Sequence, residues 1–146
     1  RVLQPGYTRD LDLQQLPNLA WSYAVLNVHH GPLMDALADR ALRDGFLTTF
    51  SPQGVANLAW SFATLGLFNE PLMEAVAAHA AGPAFLAPCN AQDIANVVWA
   101  FATLGVRDDR LMEALAEHAR APQFIGTFKP VELSCLALAF AKLEVL

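Results

Sequence analysis

Three tryptophans, Trp21, Trp60 and Trp99, stand 39 residues apart twice over, and the chain holds no others. The flanking residues recur with them. Aligned without gaps, the chain reads LPNLAWSYAVLN (16–27), GVANLAWSFATLG (54–66), DIANVVWAFATLG (93–105) and VELSCLALAFAKL (131–143). In the second and third segments the match runs on through PLMEAVAAHA (71–80) and RLMEALAEHA (110–119). A spacing shared by whole stretches of sequence measures a structural unit. A unit of this size that recurs is one supersecondary element, which buries its apolar face on its neighbours.

Within a unit the apolar spacing is helical. In the second unit Val55, Leu58, Ala59, Phe62, Ala63 and Leu65 fall at three- and four-residue steps and so share one helix face. Pro52 precedes this helix, and Gly66, which lacks a Cβ, ends it. Asn69, Glu70 and Pro71 then open a second helix with a capping oxygen, an acid at the positive end of the dipole and a first-turn proline. That helix carries Leu72, Met73, Val76, Ala77 and Ala80 on its face and stops near Gly82 and Pro83. The third unit copies the pattern with Asp108 as cap and Leu111, Met112, Leu115, Ala116 and Ala119 on the face. The first unit uses Gly31 and Pro32, then Leu33, Met34, Leu37 and Ala41. Two such helices joined by a short turn make an αα-hairpin.

A linker follows each hairpin and is patterned too. Phe46, Phe85 and Phe124 recur at 39 residues, with Tyr7 one period earlier. Phe50 and Phe128 recur four positions on, with Cys89 between them in register. These aromatics are expected to plug the groove between successive hairpins. The fold expectation is therefore all-α: an αα-hairpin solenoid, a right-handed superhelix of 39-residue repeats forming a single array over 1–146. It divides into the tail of a preceding repeat (1–12), repeats at 13–51, 52–90 and 91–129, and the first helix of a fourth at 130–146. With Arg1 at its start and an uncapped apolar helix at its end, the chain is expected to be a fragment of a longer protein.

Composition bears on what such an array could meet. Apolar residues make up 55% of the chain and charged ones 16%, against about 45–50% and 25% in ordinary globular domains. Some of this surface is expected to contact another molecule. The formal charge of −5 offers no general attraction to nucleic acid or an anionic membrane. The longest uncharged stretch, 45–69, is interrupted by Pro52, Gln53, Gly54 and Asn57, so no membrane insertion is expected. Cys89 and Cys135 make no metal or disulfide spacing and read as free thiols.

The tryptophans read first as packing residues between neighbouring first helices, since Ala59 and Ala63 beside Trp60 allow close approach. A base-stacking platform would need an exposed ring in a basic groove, and no basic residue adjoins Trp60 in sequence. The more telling series is polar. Asn18, Asn57 and Asn96 each lie three residues before a tryptophan. Four and seven positions beyond them come Ser22 and Val25, Ser61 and Thr64, and Ala100 and Thr103; the fourth segment breaks the series with Cys135, Ala139 and Lys142. In a helix these positions form one stripe. Either the asparagines bond neighbouring backbone and hold the stack in register, or the amides and hydroxyls line a concave groove and read base edges.

Charge is unevenly placed. The first helices of the first two units, 14–28 and 53–67, carry none, and that of the third carries only Asp93. Charges gather on the second helices and turns, and each full unit is acidic, so a strong grip on RNA phosphates is not expected from this stretch. No catalytic residue, metal ligand set, cofactor or small-molecule substrate is expected. His79 and His118 recur in register, five residues after Glu74 and Glu113, as a duplicated structural position would. His29 and His30 form a loop pair without a third ligand, and no phosphate loop, nucleophile elbow or acid pair occurs.

The ANLAWSFATLG and ANVVWAFATLG helices, followed by LMEA and an aromatic linker near a proline, resemble octotricopeptide repeats. They are also similar to the helical repeats of FAST-kinase-domain and RAP-domain proteins. The resemblance covers residues 13–146. It implies a non-enzymatic αα-solenoid that binds single-stranded organellar RNA in a chloroplast or mitochondrion and supports its stability, processing or translation. Its RNA-facing stripe would be Asn18, Ser22, Asn57, Ser61, Thr64, Asn96, Thr103 and Lys142. The alternative is a protein-binding scaffold subunit of a large organellar assembly such as a ribosome, where some arrays of this kind are found.

Overall fold

The computed structural model describes residues 7–144, and among these every regular element is helical. A 3-10 turn at Tyr7–Asp10 leads into α1 (Gln15–Val25) and α2 (Gly31–Leu42). After a 3-10 segment at Arg43–Thr49 come α3 (Pro52–Thr64), α4 (Glu70–Ala80) and the single turn α5 (Pro83–Leu86). The series continues with α6 (Ala91–Leu104), α7 (Asp109–Arg120), the turn α8 (Pro122–Ile125) and α9 (Pro130–Lys142). Of the expected tail and last helix, residues 1–6 and 145–146 lie outside the described residues.

The helices of the first three hairpins start where a side chain meets orphan amides. Asp12 Oδ1 accepts from the backbone N–H of Gln14 at 2.9 Å and of Gln15 at 2.7 Å, and Gln15 Oε1 accepts in return from Asp12 N at 3.1 Å. Ser51 Oγ accepts from Gly54 N at 3.1 Å. Asn90 and Asp93 exchange two 2.9 Å bonds, a capping box. The second helices are capped by His30 Nδ1 on Leu33 N, Asn69 Oδ1 on Leu72 N and Asp108 Oδ1 on Leu111 N. Asn69 and Asp108 were legible as caps; the His30 cap was not.

The first helices stop in one way. Asn27, Gly66 and Gly105 adopt the left-handed region at φ of 54°, 67° and 69°. The next amide reaches back five residues each time: Val28 N to Tyr23 O, Leu67 N to Phe62 O and Val106 N to Phe101 O, at 2.8 to 2.9 Å. This is the Schellman closure, which satisfies the last carbonyls and turns the chain.

Between these ends the apolar faces meet. In sequence order α1 packs on α3, α3 on α6 and α6 on α9, forming one row; α2, α4 and α7 touch successively in a second. The pairs α1 with α2, α3 with α4, and α6 with α7 join the rows. Phe62 and Phe101 from the first row and Leu33, Met34, Leu37, Leu72, Met73 and Leu111 from the second are buried between them. Fully burying one such side chain is worth about 1.5–3 kcal/mol.

The segments expected as linkers are themselves helical turns, because Pro83 and Pro122 fix a first-turn φ there. Their phenylalanines anchor them. Phe85 is fully buried, whereas Phe46 and Phe124 are half-buried and meet Phe50 and Phe128 edge-to-face at 5.1 and 5.4 Å. A side chain from the preceding helix covers each ring. Arg40 places its guanidinium 3.8 Å from the Phe46 centroid, His79 meets Phe85 at 6.3 Å, and His118 meets Phe124 at 4.6 Å. The duplicated histidines thus latch the turns, and burial lowers the pKa of His79 from its ordinary value. Cys89 takes the place of the second phenylalanine; buried, it donates its thiol to Leu86 O, and burial with the nearby Asp93 charge pushes its pKa up to about 11.

Candidate binding face of the first-helix row

One side of the first-helix row is left open. On α1 it shows Asn18, Trp21, Ser22 and Val25, all exposed, with Gln14 just before the helix. On α3 it shows Gln53, exposed, with Asn57, Trp60 and Thr64 half-buried. On α6 the same places hold Gln92 and Thr103, exposed, and Asn96 and Trp99, half-buried. On α9 they hold Val131, Cys135, Leu138 and Lys142. Three- and four-residue steps bring these onto one helix side. The glutamines were missed in the sequence, although Gln14, Gln53 and Gln92 share the tryptophan spacing.

The expected stripe is therefore redrawn. Ser61 is fully buried and donates its hydroxyl to Asn57 O of its own helix at 2.6 Å, which takes it away from the open side. Ser22 is exposed but makes the same bond, to Asn18 O at 2.9 Å. Such back-bonding leaves a serine little to offer a partner. Thr64 has its hydroxyl oxygen buried with no hydrogen-bond partner among the described residues, whereas Thr103 and Lys142 face solvent. Among the described residues the side-chain amides of Asn18, Asn57 and Asn96 make no hydrogen bond, so no amide bond to neighbouring backbone holds the stack.

The tryptophans lie at the edge of this face instead of deep between helices. Trp21 is 44% exposed. Trp60 and Trp99 lean on each other across the α3–α6 contact, with ring centroids 6.1 Å apart and planes tilted by 32°. Their neighbours Ala59 and Ala63 are buried, as close approach requires. No basic residue adjoins Trp60 in sequence, yet a lysine lines the same groove as its ring. A groove of about 310 Å³ between α6 and α9 is lined by Trp60, Gln92, Asn96, Trp99, Lys129, Val131, Glu132 and Cys135. Lys129 lies 30 residues beyond Trp99 in the chain and reaches the groove only through the fold. A second groove, of about 260 Å³ between α1 and α3, is uncharged and lined by Gln14, Asn18, Ser51, Gln53 and Asn57 with Leu13, Pro17 and Gly54.

Charge divides the molecule. Lys129, Glu132 and Lys142 are charges at the open face, Asp10 borders a groove with Asn18 and Ser22 at its α1 end, and the one acid of α6, Asp93, is buried with its pKa raised by burial. The second helices instead carry exposed Asp35, Asp39, Glu70, Glu74, Glu113 and Glu117, which outnumber their exposed arginines, Arg110 and Arg120. Among the described residues no three metal-ligating side chains come together, and no helix is long and apolar enough to cross a membrane.

Unpaired amides beside indole rings on a nearly uncharged surface can hydrogen-bond and stack on a flat, polar-edged ligand, as single-stranded RNA bases are. No curated protein matches the chain. The octotricopeptide resemblance stays at that level, while an RNA-related family is shown directly. Residues 5–146 match the model of the RNA-editing substrate-binding complex 6 protein, and the chain belongs to that family.

Proposed function

We propose that the chain is a non-enzymatic RNA-binding component of an RNA-editing complex, working in an organelle, and that it holds single-stranded RNA on the open side of its first-helix row. In this reading the helix pairs are 39-residue units of a right-handed αα-solenoid, and the open side is its concave surface. The carrying observation is the outward, unpaired amides of Asn18, Asn57 and Asn96 with tryptophans beside them. Family membership supports an RNA-related role.

The grip is stacking and amide contact more than charge, because Lys129 and Lys142 are the cations at this face. Neutralising two phosphates of a single strand gives a slope near −1.4 in log K against log salt, from roughly −0.7 for each. Fluorescence anisotropy of a labelled single-stranded RNA across a salt series tests this. Binding at low salt with a shallow slope is expected; no binding at low salt overturns the proposal.

A second reading, a protein scaffold within the same kind of assembly, draws on α9. Val131, Leu133 and Leu138 are 66%, 41% and 73% exposed there, an apolar surface that a neighbouring subunit would cover. Replacing Leu133, which lies off the open side, with aspartate would release the chain from its complex if that reading holds, and would leave RNA binding alone.

A further inference from the structure

We propose that the groove between α6 and α9 is a slot for one amino-bearing nucleobase of single-stranded RNA, an adenine, cytosine or guanine in preference to uracil. The inference rests on the RNA-binding reading above and adds a place and a base preference to it.

At about 310 Å³ the groove matches the small end of ligand sites and suits one nucleotide, not a helix. It is the point where the row changes chemistry. Across the α1–α3 groove glutamine faces glutamine and asparagine faces asparagine, with no ring and no charge. In the α6–α9 groove, α9 brings Val131 and Cys135 where the other helices have glutamine and asparagine. Those smaller, less polar residues leave an apolar floor beside the Trp60–Trp99 pair. The two rings already lean on each other, so a base entering the groove meets aromatic surface that needs little further ordering.

Three polar groups then fix the nucleotide, two at its base and one at its phosphate. Asn96 offers a donor and an acceptor side by side, which fits the paired edge of any base. Glu132 is an acceptor alone. One of its oxygens accepts from Lys129 N at 2.7 Å, which holds the carboxylate at the groove and leaves the other for a ligand donor. An exocyclic amine donates to that oxygen from the rim of the base, whereas the one edge donor of uracil, N3–H, lies between two carbonyls whose lone pairs oppose the carboxylate. Lys129, exposed at the rim, supplies a positive charge to the phosphate of the same nucleotide.

The test uses the full chain with short end-labelled oligocytidylate, oligoadenylate and oligouridylate, read by anisotropy and by tryptophan emission. Oligocytidylate should bind about tenfold more tightly than oligouridylate, the scale of one good base-edge pair. Glu132→Gln, which keeps an acceptor for Lys129 N, should erase most of that preference while binding persists. Lys129→Gln, at an exposed position, should weaken all three oligomers alike and make the salt slope shallower by about 0.7. If Glu132→Gln and Asn96→Ala change nothing while Asn18→Ala weakens binding, the slot is wrong and the RNA-binding face survives. If none of the oligomers binds the unaltered chain, both fall together.

Discussion

The hairpin α1–α2 and the hairpin α6–α7 have the same outline and meet the same requirements with different residues. Where the first helix must turn left-handed, the earlier hairpin has Asn27 and the later one Gly105. Where the second helix needs a cap, one has a histidine nitrogen at 3.1 Å and the other an aspartate oxygen at 2.8 Å. Tyr23, half-buried and edge-on to His30 at 6.4 Å, stands where Phe101 is wholly buried. Trp21 is 44% exposed and stands alone, while Trp99 leans on Trp60. Position in the unit sets what the backbone does. The residue found there sets how well it is stabilised, and on each count the earlier hairpin is expected to be the weaker of the two.

Core truncation tests this contrast most strongly. Phe101→Ala should lower stability by about 3–5 kcal/mol, the usual cost of emptying a closed aromatic site. Tyr23→Ala should cost no more than about half as much, since less of its surface leaves water. Urea midpoints at unchanged slope measure both, and equal losses would break the comparison. Exchanging the caps comes next. His30→Asp should raise stability by about 1 kcal/mol and Asp108→His lower it by a similar amount, because a carboxylate both caps the amides and meets the positive helix end. A null result for both substitutions would show that these caps do not differ. The smallest effect belongs to the stops. Asn27→Gly should gain about 0.5 kcal/mol and Gly105→Asn lose about as much, asparagine being the side chain that tolerates this region best after glycine. Thermal melts of the pair would show opposite shifts, and shifts of the same sign would contradict the assignment.

Much of the local architecture was legible because helix signals are local. Asn69, Asp108 and Gly66 each act within five residues of where they sit, so the sequence shows their work directly. What failed to show depends on the fold. The spacing of Trp60 and Asn57 marks a helix side, but whether that side meets a neighbour or water is decided by where α6 lies. Lys129 lines one groove with Trp60 although five helical elements, α4 to α8, separate them in the chain, and no periodicity links the two beforehand. Ser61 shared the spacing of a ligand stripe yet turns inward, since four residues after Asn57 is not quite the same side as three or seven. The glutamine row shares the 39-residue spacing, but a polar residue at a helix start reads equally well as ordinary solvated helix end.

The acid row on the second helices has a consequence before any contact forms. A body whose negative charge is gathered on one flank experiences a torque in the field of a polyanion, which swings that flank outward. Asp35, Glu74 and Glu113 would thus rotate an approaching chain until its uncharged flank, with Lys129 and Lys142, leads toward a strand. Orientation of this kind acts over about 10 Å at 0.1 M salt and fades as salt rises. The carboxylates would then influence how often an encounter is productive while touching nothing in the complex.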